Sequence, residues 1–381
     1  MVKKKSKKVL MPVYNEIDYD GRVQRSAHAL GQHFDVTVFA VDSGKGYANP
    51  AFAVTAIRLP KIKRFKGLLH LYFWARLWLT ALVSRPTVVH GQDFFMAFPG
   101  WLAARISGAR FVYDAHELII PEKDIQQSRR DRFFYWSESW AVTRAELVIA
   151  ANGERAKCME DHYHLPSTPL VISNIPPMPK EILGPKGTDE KYPVLRRLDP
   201  AEIRLVYQGD MSLDRGIGKF VTAMKALDGR FRLFLVGGGP DVEKLKQIAM
   251  KDEVQDRVVF LGKVPRDHLH DILKKCDVGV VTYPDKGLNN IFCAPNKIYE
   301  YAQAGLPMIS SSNPTVEAVF ARFGVGKISP NPAADIPELC AHLDEYRGKI
   351  QPFLNANSWD GEARKLNMAY QKICEDSGGR R

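Results

Sequence analysis

At 381 residues, with 45% apolar and 25% charged content, the chain has the composition of a soluble globular protein and is long enough for two domains with separate cores. Its formal charge of +11 suits phosphates, nucleic acid, anionic lipid headgroups or acidic sugars, without choosing among them. Cys158, Cys276, Cys293, Cys340 and Cys374 lie far apart with no CxxC or Cys/His ligand spacing, so neither a disulfide framework nor a structural zinc site is indicated and a reducing cytoplasm is the simplest compartment.

The N-terminal "MVKKKSKKVLMPVYNE" has a basic start, but its apolar run is too short for a signal peptide. Those lysines read as a solvated tail or as a contact with an anionic membrane. Short β-branched runs follow, "VLMPVY", "DVTVFAV", "PTVVH", "ARFVYDA" and "ELVIA", separated by helix-period segments such as "GRVQRSAHALGQH". This alternation predicts a parallel sheet with helical crossovers. The longest apolar stretch, Gly67 to Val83, is shorter than the ~20 residues of a spanning helix and contains His70 and Arg76. Preceded by "KIKRFK" and carrying Tyr72, Phe73, Trp74 and Trp78, it fits an interfacial helix or a core-packing one. Two strands end in polar residues, "VVHGQD" in His90 and Asp93, and "VYDAHEL" in Asp114, His116 and Glu117. Strand carboxyl ends are where α/β sheets gather ligands.

From Pro176 to Pro200 the chain is dense in Pro, Gly and charge, as an interdomain connection would be. A second series then begins with "IRLVYQG", "RLFLVGG", "RVVFLG", "DVGVVTY", "LPMISS" and "GVGKIS". The expected division is an N-terminal acceptor-binding domain, 1–175, a linker, 176–200, a C-terminal nucleotide-sugar domain, 201–355, and a last helix, 356–381, packing back on the N-domain.

Chemistry concentrates in the second series. "YQGDMSLDRGIGKF" leaves a strand and opens a helix with Gly209, Gly216 and Gly218 around Arg215, a turn in which backbone and cation suit an anion, or which is a structural turn alone. "VGGGP" is a second such turn. "APNKIYEYAQAGLP" starts a helix with Pro295 and the capping-type Asn296, then sets Lys297 in the first turn, where the macrodipole gives a cation no help. A bound phosphate would resolve that inconsistency, and Glu300, one turn on, would accept bonds from a vicinal diol such as a ribose. The alternative is an i,i+3 pair between Lys297 and Glu300 on a solvated face.

Together "YQGDMSLDRGIGKFVTAMKAL", "FLVGGGP", "VVFLGKVPRDHLHDILKKCDVGVVTY", "PNKIYEYAQAGLPMISS" and "DAHEL" resemble the retaining glycosyltransferases of family 4 over nearly the whole chain. The resemblance implies an α/β GT-B fold, two Rossmann-like domains facing each other across a cleft. It implies transfer of a glycosyl group from a UDP- or GDP-linked sugar to a hydroxyl of a glycan or lipid-linked acceptor, with retention and without a required metal or cofactor. Glu300 is then the ribose carboxylate, Arg215 and Lys297 the diphosphate clamp, and Gly209 and Gly21 the close turns beside it. Asn289, Asn290 and Phe292 lie near the donor sugar; His116, counted with Arg215 and Lys297 as catalytic, lies with Asp114, Glu117 and His90 on the acceptor or sugar side. "DGRV" after Tyr19 resembles enzymes of surface-polysaccharide assembly. Two departures stand out: Phe292 occupies a position where many members carry an acid, and Asp210 one where many carry an arginine.

A cytoplasmic enzyme acting on a lipid-linked acceptor would benefit from peripheral contact with the inner face of the cell membrane, for which Lys61, Lys63, Arg64, Lys66, Trp74 and Trp78 are the candidates. The alternatives are another GT-B activity, such as sugar-nucleotide epimerisation or phosphorolysis, and a basic module that binds nucleic acid or membrane without catalysis. No nucleic-acid partner is expected, since no reading motif or aromatic-basic platform is recognisable.

Overall fold

The computed structural model describes residues 7–60, 66–122, 127–178, 188, 190–196, 199, 201–284 and 286–375. Contacts divide the chain into two compact units, Met1–Asn174 with Trp359–Arg381, and Ile175–Ser358.

The first unit holds strands β1 (Lys8–Glu16), β2 (Asp35–Val41), β3 (Ala53–Ile57), β4 (Val88–Gln92), β5 (Arg110–Ala115), β6 (Leu147–Ala150) and β7 (Leu170–Val171). They form one sheet in the order β3-β2-β1-β4-β5-β6-β7, every pair parallel. The winding reverses between β1 and β4, the switch point at which doubly wound sheets open a crevice at their carboxyl ends. Helices α1 (Gly21–Gly31), α2 (Lys66–Ser84), α3 (Ala97–Ser107), α4 (Arg129–Val142) and α5 (Gly153–Tyr163) run between the strands. Both sheet faces are covered, so β2 reads almost wholly apolar: Val36, Val38 and Ala40 join one core cluster, while Phe39 meets Phe73 of α2 edge to face.

The second unit repeats the plan with β8 (Ile203–Asp210), β9 (Phe231–Gly238), β10 (Val258–Gly262), β11 (Val278–Val281), β12 (Met308–Ser310) and β13 (Gly326–Ile328), parallel in the order β10-β9-β8-β11-β12-β13. Its helices include α6 (Ile217–Ala223), α7 (Val242–Lys251), α8 (Arg266–Leu273), α9 (Leu288–Ile291), α10 (Asn296–Gln303) and α11 (Pro314–Phe323). Alternate residues of β8 face opposite cores, Leu205 and Tyr207 one cluster and Val206 the other. The fold is α/β with two Rossmann-like domains.

The C-terminal helix Trp359–Glu375 belongs to the first unit, where Leu366, Tyr370 and Ile373 enter the cluster of Val9, Val36 and Leu30. Glu362 fixes it to the end of β7 by accepting from Ser173 N at 2.9 Å.

Every short β-branched run read as a strand in the sequence forms one. Two strands carried no signal, and both are edges: β3 is half exposed and β7 has two residues. Helix α2 packs on the core along one side and leaves apolar side chains exposed along the other. Phe73, Leu77 and Ala81 are buried, while Leu71, Leu79 and Leu82 remain exposed. Trp74 is corrected as a membrane contact, because it is buried and stacks on Phe133 at 6.3 Å. Trp78 is half-buried and spends its Nε1–H on Pro99 O at 3.0 Å. Among the described residues no helix is long and apolar enough to cross a membrane. Lys61, Lys63 and Arg64, like most of 176–200, lie outside the described residues, and only the backbone of Lys66 is described.

Candidate active site

The chain leaves β8 through Gly209, whose φ of 136° is a conformation that only glycine adopts easily. A Cβ there would stand 3.5 Å from Lys297 Nζ, and one on Gly237 of the neighbouring strand would strike the Gly209 carbonyl. Gly237 in "VGGGP" is therefore needed for close strand approach. The next turn, Leu213–Arg215, ends at Gly216, with φ 81°, which caps α6 and sets Arg215 at the carboxyl end of the sheet.

Helix α10 approaches the same strand ends. Its N-cap is Pro295, and Asn296 is its first helical residue, not its cap; Asn296 Oδ1 is buried without a hydrogen-bond partner. Tyr301 ties the helix to the sheet, accepting from Gln208 N at 3.0 Å and donating to Val280 O at 3.2 Å. Lys297 is buried, its Nζ 4.4 Å from the centroid of the Tyr207 ring and 5.0 Å from that of Tyr283. The Arg215 guanidinium lies 5.5 Å from the same Tyr283 ring. Neither cation makes an ion pair with a carboxylate among the described residues. Burial, then Arg215, pushes the Lys297 ammonium down to about 7. A solvated Lys297 is therefore excluded. Glu300 instead accepts a hydrogen bond from Gln208 Nε2 at the end of β8.

Asn289 and Asn290 lie on the short α9 and Phe292 caps its end, all half-buried. Asn290 is fixed from both sides: its Nδ2 donates to Lys286 O at 3.0 Å and its carbonyl accepts from Asn313 Nδ2 at 3.0 Å.

In the first unit the strand ends carry a different chemistry. Asp20 caps α1 by accepting from Val23 N at 3.1 Å, so Gly21 is the first helical residue and Arg22 points to the sheet. Arg22 grips Asp114 of β5 through Nη2 at 2.7 Å and Nε at 3.0 Å, and its Nη1 donates to Ile172 O at 2.8 Å. Burial disfavours the Asp114 carboxylate, yet Arg22 and the neighbouring imidazoles outweigh it and hold the group below its ordinary range. His116 Nε2 is 3.8 Å from Asp114 Oδ2 and 3.0 Å from Gln92 Oε1, and 16% of its side chain reaches solvent. Burial lowers its pKa against the pull of Asp114, so it is neutral at pH 7.

His90 requires a correction. Expected on the acceptor or sugar side, it is fully buried, 3.9 Å from Asp114 and 5.8 Å from the Tyr370 ring, and pushed down to about 4 by burial. It has no surface to offer a ligand. Glu117, by contrast, is exposed, and its charge acts on His116 and Asp93. Asp93, read in the sequence as a polar strand-end residue but left out of the assigned site, has a φ of 63°, strained for a residue with a side chain, and an Oδ1 buried without a partner. Burial, with Glu117, Glu138 and Asp20 adding to it, holds its carboxyl well above the usual range. Tyr207, Tyr283, Gln208 and Arg22 were also missed as site residues. Only the strand-end position of Gln208 was a usable signal.

Two family models match the chain, "Glycosyltransferase Family 4" over residues 22–174 and "Glycosyl transferases group 1" over 202–338. Among curated proteins, the alpha-maltose-1-phosphate synthase of Mycobacterium tuberculosis is 29% identical over 195 residues, 50% of this chain and 49% of that protein. The chain thus spans about half the length of the curated relatives it matches. Among solved structures, sucrose-phosphate synthase from Thermosynechococcus elongatus superposes with a TM-score of 0.75 at 16% identity, covering 97% of this chain and 100% of that one. Anabaena HepE, solved with UDP and glucose, superposes with a TM-score of 0.70 at 15% identity, covering 98% and 100%. These structural likenesses are of fold. With both Rossmann-like domains matched by glycosyltransferase models, the chain belongs to the glycosyltransferases of the GT-B type.

Proposed function

We propose that the chain moves a glycosyl group from a UDP- or GDP-linked sugar to a hydroxyl of a glycan or lipid-linked acceptor, with retention of configuration, in the manner of the family-4 enzymes of surface-polysaccharide assembly. One observation carries the reading. Arg215 and Lys297 share the Tyr283 ring at the carboxyl end of β8, and neither has a carboxylate partner among the described residues. Two cations held this close repel each other until an anion joins them, and a diphosphate is the anion that satisfies both.

In this reading the bond between the anomeric carbon and the diphosphate oxygen breaks, and charge accumulates on the leaving group. Arg215, Lys297 and the first amides of α10 are already oriented to receive it, so they stabilise the transition state more than the ground state. Glu300, tethered by Gln208, accepts the ribose hydroxyls. Gly209 and Gly21 let backbone approach the phosphates, and Asn289, Asn290 and Phe292 face the donor sugar. His116, with Asp114 orienting it, serves the acceptor side, and Glu117 stands at the rim. HepE, of like fold, was solved with UDP and glucose, which favours UDP as the first donor base to try. The protein works in the cytoplasm, in peripheral contact with the membrane that carries the acceptor.

A thermal-shift screen of nucleoside diphosphates and their sugars tests the donor, since a bound ligand raises the melting temperature by mass action. Product analysis with the sugar nucleotide that scores then separates transfer from epimerisation or phosphorolysis. A screen in which none of these ligands stabilises the protein would overturn the reading.

A further inference from the structure

Helices α2, α3 and α4 of the first unit carry most of the large apolar side chains exposed among the described residues. On α2, whose sequence "KGLLHLYFWARLWLTALVS" contains no acid, Leu71, Leu79 and Leu82 are 53%, 59% and 47% exposed. On α4, Phe133 and Trp136 are 43% and 48% exposed. Ring contacts bind the three helices into one aromatic surface. Trp74 stacks on Phe133 between α2 and α4, and Phe98 meets Trp136 at 5.4 Å between α3 and α4. Trp101 meets Trp140 at 5.8 Å, also between α3 and α4.

The exposed charge on and just beyond these helices is mostly positive. Arg76, Arg105, Arg129 and Arg132 are exposed, and Arg144 lies over the Trp140 ring at 3.7 Å. Two acids accompany them: Asp131 is held in the capping box with Ser128, and Glu138 is buried. An apolar face rimmed mostly by cations is poorly suited to a copy of itself, because an isologous contact would set arginines close to arginines. It does match a bilayer, where tryptophan settles at the headgroup level and arginine reaches phosphate while its stem stays among apolar groups.

We propose that the α2–α3–α4 face docks on an anionic lipid surface, with Trp136 and the α2 leucines entering the boundary between headgroups and acyl chains and the arginines contacting lipid phosphates. This gives the membrane contact in the proposed function its surface, and it moves that contact from Trp74 and Trp78 to side chains that reach solvent. Docking needs neither nucleotide nor acceptor, so its failure would leave glycosyl transfer untouched.

Flotation of the full chain with phosphatidylcholine vesicles, and with an equal mixture of phosphatidylcholine and phosphatidylglycerol, tests the proposal. The chain is expected to float with the mixed vesicles and not with phosphatidylcholine alone. Leu79→Glu combined with Trp136→Glu is expected to lower that partition at least ~tenfold. Arg129→Glu with Arg132→Glu should do the same without touching the apolar side chains, which guards against misfolding of the first variant. Equal indifference to both vesicles, or undiminished flotation of both variants, would overturn the proposal. So would a lipid-free dimer in sedimentation velocity that Leu79→Glu with Trp136→Glu breaks, which would assign the face to a second copy of the chain.

Discussion

Lys297 Nζ sits over the Tyr207 ring, 4.4 Å from its centroid, with the Arg215 guanidinium sharing its other neighbour, Tyr283. A buried ammonium beside a second cation is a poor place for charge, and Lys297 titrates at about 7 instead of 10.5. Arg215 lowers it further, while Cys293, Glu300 and Asp210 pull it back weakly. A bound diphosphate reverses that balance. Nucleoside diphosphate is therefore expected to bind best below pH 7 and progressively more weakly above it, with one proton taken up on binding at alkaline pH. Calorimetry in two buffers of different ionisation enthalpy reads that proton. In the empty protein the sign is opposite: between about 7 and 10.5 the unfolded chain holds the proton the folded chain has lost, so stability rises with pH across this window. Lys297→Met should remove both dependences and be the more stable protein below pH 7.

Arg215→Ala is expected to lower turnover by two to three powers of ten, about 3–4 kcal/mol, with a much smaller effect on the acceptor KM. Arg215 is assigned to the leaving group, whose charge grows only in the transition state. Initial rates at saturating donor test this, and near-normal turnover would remove Arg215 from the clamp.

Arg22→Ala strands Asp114 in the core of the first unit. Losing one partner of a buried pair costs about 3–5 kcal/mol, because the remaining charge has no compensation. Adding Asp114→Asn removes that charge and should restore part of the loss in denaturant unfolding. Since the Asp114 pKa is depressed in the folded state, its contribution is fully present above the ordinary carboxylate range and is lost as the pH falls below that range through the lower folded-state pKa.

Glu138 behaves oppositely. It is buried, accepts from Tyr113 and Tyr163 at 2.5 Å each, and is pushed up to about 7 by that burial. The folded protein holds a proton that the unfolded chain releases near 4.5, so the stabilisation is complete at low pH and lost as the pH rises to about 7. Glu138→Gln is expected to flatten this dependence, its advantage over wild type growing between pH 5 and pH 8 in thermal melts.

Much of the fold was legible because both sheets are buried on two faces and their strands read as apolar runs. Edge strands β3 and β7 lack that pattern and were missed. The second-unit site was legible where local physics left a mark: a lysine at the wrong end of a helix, or a glycine required at φ 136°. What supports those residues was not. Gln208 reaches Glu300 and Arg22 reaches Asp114 across 92 residues each, and no spacing encodes such contacts. His90 failed for the same reason, since a strand-end histidine in sequence gives no hint that Tyr370 of the last helix covers it.

Glu300 gives the most direct test of the donor site. Calorimetric titration of UDP and GDP into wild type and Glu300→Ala, with inorganic pyrophosphate as the control, separates the ribose contact from the phosphate clamp. One nucleoside diphosphate should bind wild type and lose at least ~tenfold in affinity in the variant, as expected for a lost charge-assisted hydrogen bond, while pyrophosphate binds both alike. Unchanged nucleotide affinity in Glu300→Ala, or no binding of either nucleotide to wild type, would contradict the assignment.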